Sequence, residues 1–379
     1  MSTLNVEAIS HPTSGSLVTI NGAAPSNRNL IINGAMQVAQ RGTSQASVTS
    51  TTYAGPDRFQ HILGTAGTWT VSQSTEAPEG FATSLKLDCT TANASLSASS
   101  LYLLGQKIEG LNVQHLDYNT VNAKTVTLSF WVRSNKTGTY VCEVTTHTST
   151  RKISQTYTIN SANTWEKKIL QIPGDTGGSL PNTNTAEFNV YWWLVAGANW
   201  KSGTLNTTWG ITADNNRVVG QTVNLADSTA NEFYLTGVQL EVGTVATPFE
   251  HRSYGDELAR CQRYFERRNL NDNGNTEGIF GIGNSISTSS SKLLYYWNIE
   301  KRSSASISLT LDGGVLYVRD AFNSSQGTNQ SFTVEATSSS HAVLTFTSNG
   351  GTFTAGAPGQ VRVDQLGSGN AYFSISAEL

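Results

Sequence analysis

The side chains of this chain with the clearest chemical potential are flat aromatics set beside polar groups. In the run 126–133, VTLSFWVR, a strand places Leu128, Phe130 and Val132 on one face and Ser129, Trp131 and Arg133 on the other. The run 187–195, EFNVYWWLV, divides in the same way, with Asn189, Tyr191 and Trp193 opposite Phe188, Val190, Trp192 and Leu194. Trp200 and Trp209 lie in the Gly/Asn-rich segment that follows. An aromatic plane stacks on the C–H face of a sugar ring while neighbouring Asn and Arg meet its hydroxyls. Trp131, Arg133, Tyr191, Trp193, Trp200 and Trp209 are therefore the candidate glycan-binding set. The competing expectation is that these tryptophans fill or cover a sandwich core.

Other chemistries find little support. Gly174 to Ser179, GDTGGS, resembles the nucleophile signature of chymotrypsin-like serine proteases. The expected serine is Thr176, whose methyl crowds a tight nucleophile turn, and no family-like sequence surrounds His61, His115 or Asp117. A loop joining two strands accounts for the segment better. The histidines His11, His61, His115, His147, His251 and His341 are scattered, with no HxH or HExxH spacing for a metal. Cys89, Cys142 and Cys261 are odd in number and far apart, so buried free thiols are expected. Gly278 to Gly283, GIFGIG, lacks the GxGxxG order and a following helix, which excludes a dinucleotide site. No carboxylate pair is singled out for glycoside hydrolysis. No catalytic residue, metal or cofactor is expected, and the chain reads as non-enzymatic.

Charge concentrates in one place, the stretch 240–269, in a chain with only 13% charged residues. Ser253 is placed to cap a helix, with Asp256 three residues on, and Asp256 and Glu257 suit its first turn. Leu258, Cys261, Tyr264 and Phe265 fall on one apolar stripe, and Arg267 and Arg268 suit the last turn. Asp256–Arg260 and Glu257–Arg260 pairs would add about 0.2–0.5 kcal/mol each. The arginines interleave with Asp256, Glu257 and Glu266, so a solvated or interface helix is expected rather than a grip on nucleic acid.

The elements that must position these residues are strands. Thirty-four glycines and about a quarter Ser plus Thr, with eight Trp, 13 Tyr and 13 Phe, point to packed sheets. A net charge of -3 offers no field for nucleic acid or an anionic membrane. The most apolar cluster, 191–195, is too short to span a bilayer, and the opening MSTLNVEAIS carries no secretory pattern. The last strand before the charged stretch holds Phe233, Leu235, Val238 and Leu240, and Gly237 marks a bulge where alternation breaks. Alternation resumes at 292–299, 306–311, 315–318, 331–334, 342–346, 360–363 and 371–375. The fold class is all-β: a short arm (1–27), a jelly-roll sandwich (28–250), a linking helix and loop (251–272) and a second, smaller β-sandwich (273–379).

Several segments also resemble a known class. NLIINGAMQVAQRGT (29–43), GPDRF (55–59), LSFWVRS (128–134), FYLTGVQLEVG (233–243), ATPFEHRS (246–253) and ELARCQRYF (257–265) are similar to recurrent segments of bacteriophage structural proteins. These occur in tail fibres and other virion appendages, notably of marine and cyanobacterial phages. NLIINGAM and YLTGVQLE also resemble the first and last strands of jelly-roll carbohydrate-binding modules. Calcium often sits near those strands, but the usual acidic residue before the closing strand is not evident here.

The phage resemblance implies a homotrimer in a virion, docked on other virion proteins through residues 1–27. Its distal β-domains would meet a host cell-surface glycan or protein, with no nucleic acid and no membrane insertion. The linking helix is then expected near the threefold axis, packing through Leu258, Cys261 and Phe265. A head decoration or tail or baseplate connector is the alternative, and a polysaccharide depolymerase the second.

Overall fold

The computed structural model describes residues 27–269, 277–305, 307–312, 315–320, 331–347, 354–364 and 372–379. All but one residue of the arm, and residues 270–272 of the expected linking helix and loop, lie outside them. The chain divides into two units, Met1–Glu257 with Leu379, and Leu258–Glu378.

Alternating apolar residues build the strands of the first unit into two facing sheets. Strands are numbered in chain order. One sheet holds β1 (Ser44–Val48), β4 (Thr68–Ser74), β5 (Ser84–Thr91), β12 (Glu232–Val242), β7 (Val126–Ser134) and β10 (Glu166–Ile172), side by side in that order. The other holds β2 (Thr52–Tyr53), β3 (Gln60–Gly64), β6 (Leu101–Glu109), β11 (Ala186–Ala196), β8 (Gly138–Thr146) and β9 (Lys152–Ile159). From β5 onward the orders β5-β12-β7-β10 and β6-β11-β8-β9 are those of a jelly roll, and the pairings are antiparallel. Between the sheets lie Trp69, Phe130, Trp192, Phe233 and Leu240, each fully buried. Edge-on pairs such as Phe130 with Trp192, centroids 5.5 Å apart, fill the space that two large rings leave between them.

Gly237 takes φ +60° at the register shift between Thr236 and Gln239, so the expected bulge is present. A Cβ there would meet the Phe81 ring at 2.7 Å and the Trp131 ring at 2.9 Å.

The charged stretch departs from expectation. Helix α2 spans Tyr254–Gln262, following α1 (Ala198–Lys201). Ser253 caps α2 as expected: its Oγ accepts the Asp256 N–H at 3.2 Å and donates to Asp256 Oδ2 at 2.7 Å. The helix stops short of Phe265, however. The Tyr264 N–H turns back to Cys261 O, and β13 (Phe265–Asn269) pairs antiparallel with β21 (Tyr372–Ser376). Sheet pairing satisfies every other backbone group of this segment and buries Phe265, which outweighs the charge pattern suited to a last helical turn. Arg267 and Arg268 are strand residues.

In the second unit β13 and β21 form a three-stranded sheet with β16 (Ser308–Asp312). A six-stranded sheet runs β17 (Val315–Asp320), β20 (Pro358–Asp364), β14 (Glu277–Ser285), β15 (Ser290–Tyr296), β19 (His341–Thr347) and β18 (Ser331–Thr337). Leu293, Tyr295, Leu344, Phe346, Phe373 and Ile375 form its core. The periodic pattern located most of these strands. It missed β13, hidden in the helical reading, and β14, whose GIFGIG glycines blur the alternation.

Candidate functional site

The outer face of the sheet β2-β3-β6-β11-β8-β9 is laid out in rows by strand register. Asn189 lies between Lys107 and Thr145, Tyr191 between Gly105 and Glu143, and Trp193 between Leu103 and Val141. Gly105 shapes the middle row. A Cβ at that position would come 2.2 Å from Tyr191 Cδ1 and 2.6 Å from Val190 O, so the Tyr191 ring lies across bare backbone. Burial pushes the Tyr191 phenol up to about 12, with the Glu143 carboxylate adding to the effect and Arg217 opposing it.

Segment 197–223 folds over part of this face. Trp200, Leu205 and Val218 pack on Leu103, Val141 and Trp193 as a small core of their own. Arg217 reaches down from the segment and donates from Nε and Nη2 to both oxygens of fully buried Glu143, at 2.9 and 2.7 Å. Trp193 Nε1 also donates to Glu143, at 3.0 Å. The guanidinium stands 4.8 Å from the Trp193 ring centroid and 5.4 Å from that of Trp200. Burial works against its charge, but the Glu143 carboxylate more than offsets this and the Arg217 pKa is raised.

What remains uncovered is a groove of about 510 Å³. Leu103, Asn189 and Tyr191 contribute its sheet side, the turn carrying Thr146, His147 and Thr150 one flank, and Thr212 and Arg217 the other. Ile211, 75% exposed, stands at its rim. Two polar oxygens on the lining lack a partner: Asn189 Oδ1 and Thr212 Oγ1 are buried with no hydrogen bond. An aromatic floor, polar flanks and unpaired neutral oxygens suit a polyhydroxylated ligand.

The six residues expected to bind glycan do not form one platform, because period two reveals a strand's faces but not its sheet. Tyr191 alone lines the groove. Trp193 faces the same side but is fully buried beneath Arg217 and Trp200. Half-buried Trp200 belongs to the cover, its Nε1 donating to Ser99 O. Trp209 packs against the main core, edge-on to Tyr118, with Nε1 donating to Pro173 O at 2.6 Å. Trp131 and Arg133 lie on the opposite sheet, in β7. There Arg133 sits 5.0 Å over the Tyr234 ring and pairs with Glu76. Sequence reasoning missed Leu103, Thr212 and Arg217 as site residues. Asn189 was assigned to the Tyr191 face, and that shared face was the available signal.

The apolar stripe of the charged stretch is also spoken for. Cys261, Tyr264 and Phe265 are 0%, 1% and 6% exposed within one chain, so they are not free to pack between copies. Leu258 is half-buried.

The GDTGGS loop is a fastening. Asp175, 1% exposed, accepts both Nε and Nη2 of Arg151, at 2.6 and 2.9 Å, and the Gly177 N–H at 3.0 Å. His61 is sealed in the core between Tyr102 OH (2.9 Å) and Ala54 O (3.2 Å), and burial lowers its pKa to about 4. Cys89, Cys142 and Cys261 are all buried and none is in a disulfide, as expected. Among the described residues no group of three or more His, Cys, Asp or Glu side chains could hold a metal ion. Nor is any helix there long and apolar enough to cross a membrane.

No protein-family model matches the chain, and no curated protein matches it. Solved structures similar to it include the enzymatically active domain of tailspike protein 4 of bacteriophage CBA120, at 14% identity and a TM-score of 0.29, over 57% of this chain and 21% of that one. The carbohydrate-binding module TmCBM61, solved with β-1,4-galactotriose, is similar at 8% identity and a TM-score of 0.28, over 57% of this chain and 100% of that one. A family 11 carbohydrate-binding module from Clostridium thermocellum, solved with a β-1,3-1,4-mixed-linked tetrasaccharide, is similar at 8% identity and a TM-score of 0.27, over 54% of this chain and 98% of that one. The chain thus spans about a fifth of the tailspike domain's length.

Proposed function

We propose that this protein is a non-enzymatic glycan-binding subunit of a bacteriophage appendage, a trimeric tail fibre that attaches the virion to a host-surface polysaccharide. The observation that carries the reading is the groove in which the Tyr191 ring rests on Gly105 beside the unpaired oxygens of Asn189 and Thr212. The phage assignment draws on the six sequence segments that resemble virion appendage proteins. A single groove of this size holds a short stretch of sugar weakly, and several copies on one particle would supply avidity. The carboxylates beside the groove, Glu143 and Asp214, are engaged by Arg217 and Lys152, which favours holding a glycan over hydrolysing it.

The test is a host-surface glycan array read beside a reducing-sugar assay on the same polysaccharides. Binding that disappears in Tyr191→Ala, with no sugar released, is the expected result. Sugar release would favour the depolymerase alternative, and no glycan binding would favour a structural connector.

A further inference from the structure

The charge pattern around the groove indicates what kind of glycan enters it, an inference that rests on the groove being a glycan site. Two cationic side chains line it, Lys152 and Arg217. Arg217 is held by both oxygens of Glu143, at 2.9 and 2.7 Å, and lies 3.7 Å from Asp214. Lys152 Nζ donates to Asp214 Oδ1 at 3.1 Å. Two cations therefore meet two carboxylates, and these four residues leave no net formal charge. His147, the remaining titratable group on the lining besides Tyr191, has the Glu187 carboxylate for a neighbour. An incoming carboxylate would have to compete with Glu143 for Arg217, and Glu143 is fully buried with Trp193 Nε1 already bonded to it. Separating such a pair leaves a buried charge unpaired, which a weakly held sugar does not offset.

The neutral groups, in contrast, are incomplete. Asn189 is 5% exposed and gives its Nδ2 to Thr145 Oγ1 at 3.2 Å, while its Oδ1 has no donor. Thr212 Oγ1, on the opposite flank, is likewise buried without a partner. A buried acceptor without a donor is a cost that a ligand hydroxyl can remove.

We infer that the groove selects an uncharged sugar whose hydroxyl donates to Asn189 Oδ1 while its ring rests on Tyr191, and that it discriminates against uronic- and sialic-acid residues. Neutrality is enforced by the pairing of Lys152 and Arg217, and orientation by Asn189 and Thr212.

The experiment is titration of the full chain, at low salt, with neutral gluco-, manno- and galacto-oligosaccharides and with galacturonate and sialylated oligosaccharides. The expected result is binding in the neutral series, lost in Tyr191→Ala and weakened about tenfold in Asn189→Ala at an unchanged melting temperature. Asp214→Asn, which strips Lys152 of its partner, is expected to admit the acidic series. Preference of the unaltered protein for the acidic series, abolished by Tyr191→Ala, would overturn the inference while leaving the glycan site standing. Neutral binding that Asn189→Ala leaves untouched would remove Asn189 from it. Failure of both series to bind would overturn the glycan reading itself.

Discussion

Glu250 accepts the backbone N–H of Asn29 at 2.7 Å, joining two residues 221 positions apart. The same carboxylate takes the N–H groups of Asn27 and Arg28, at 2.5 and 2.9 Å. Arg252 answers with donations to the carbonyls of Ile31 and Asn29, and Glu257 accepts the Asn33 N–H at 2.6 Å. The segment 27–33 lies outside any strand, so most of its backbone groups have no ladder partner. Charged side chains supply the missing partners, because charge-assisted bonds are the strongest means of holding irregular backbone. Glu250, Arg252 and Glu257 thus fasten the start of the sandwich to the segment that follows its closing strand.

Glu250→Ala is accordingly expected to destabilise the first unit by about 2–4 kcal/mol, since three buried or half-buried donors lose a charged acceptor together. Glu250→Gln, which keeps one acceptor oxygen, should cost about half as much. Urea unfolding at neutral pH measures both. A loss below about 0.5 kcal/mol in Glu250→Ala would mean that water replaces the carboxylate freely.

Gly105→Ala tests the floor of the groove. The new methyl would overlap both the Tyr191 ring and Val190 O, and the latter is backbone that cannot swing aside. Destabilisation of about 1–3 kcal/mol is expected. Glycan binding should fall at least as far as in Tyr191→Ala. Wild-type melting and binding in this variant would show that the ring does not need bare backbone beneath it.

His61 makes stability depend on pH in a definite window. Its folded pKa of about 4 lies below the ordinary histidine value of 6.5, so between those values the unfolded chain holds a proton that the folded one lacks. Stability from this residue is intact above pH 6.5, falls as pH drops toward 4, and levels off below. The total is on the order of 3 kcal/mol. His61→Leu should be less stable at neutral pH, having lost bonds to Tyr102 and Ala54, yet show a shallower slope of melting temperature between pH 6.5 and 4. An unchanged slope would place the acid sensitivity elsewhere.

Cys89, Cys142 and Cys261 should resist a thiol-reactive dye in the native protein and all three should react in denaturant. Burial hides each of them, and it pushes Cys89 up to about 11 and Cys142 further still, removing the reactive thiolate. Rapid native labelling of any one would report local opening there.

How far these features were legible depends on the distance over which they are decided. The strand faces of 126–133 and 187–195 follow from period two, and the cap at Ser253 follows from its own turn. The identity of the sheet does not. Trp131 and Trp193 have the same local pattern, yet β7 and β11 belong to opposite sheets because of a strand order set by the whole jelly roll. Tyr191 owes its place to Gly105 in another strand, a pairing that register creates and spacing cannot show. The end of α2 departs from the local pattern for the same reason, since the partner that draws Phe265 into a sheet is β21.

Burial of Cys261, Tyr264 and Phe265 within one chain bears on assembly. Were the stripe at Leu258, Cys261 and Phe265 a contact between copies, Phe265→Asp would dissociate an oligomer and leave the fold intact. In the structure Phe265 pairs with Ser376, is 6% exposed, and adjoins Glu266, whose carboxylate holds the buried Lys301 ammonium at 2.7 Å. A second carboxylate placed there would be buried without a partner, at a cost of several kcal/mol. Phe265→Asp should therefore unfold the second unit, seen as lost tertiary signal and early melting, whatever the oligomeric state. Leu258→Asp, at a half-buried position, should leave folding largely intact. Light scattering on Leu258→Asp then reports assembly alone, whereas a folded but dissociated Phe265→Asp would restore the stripe as an interface.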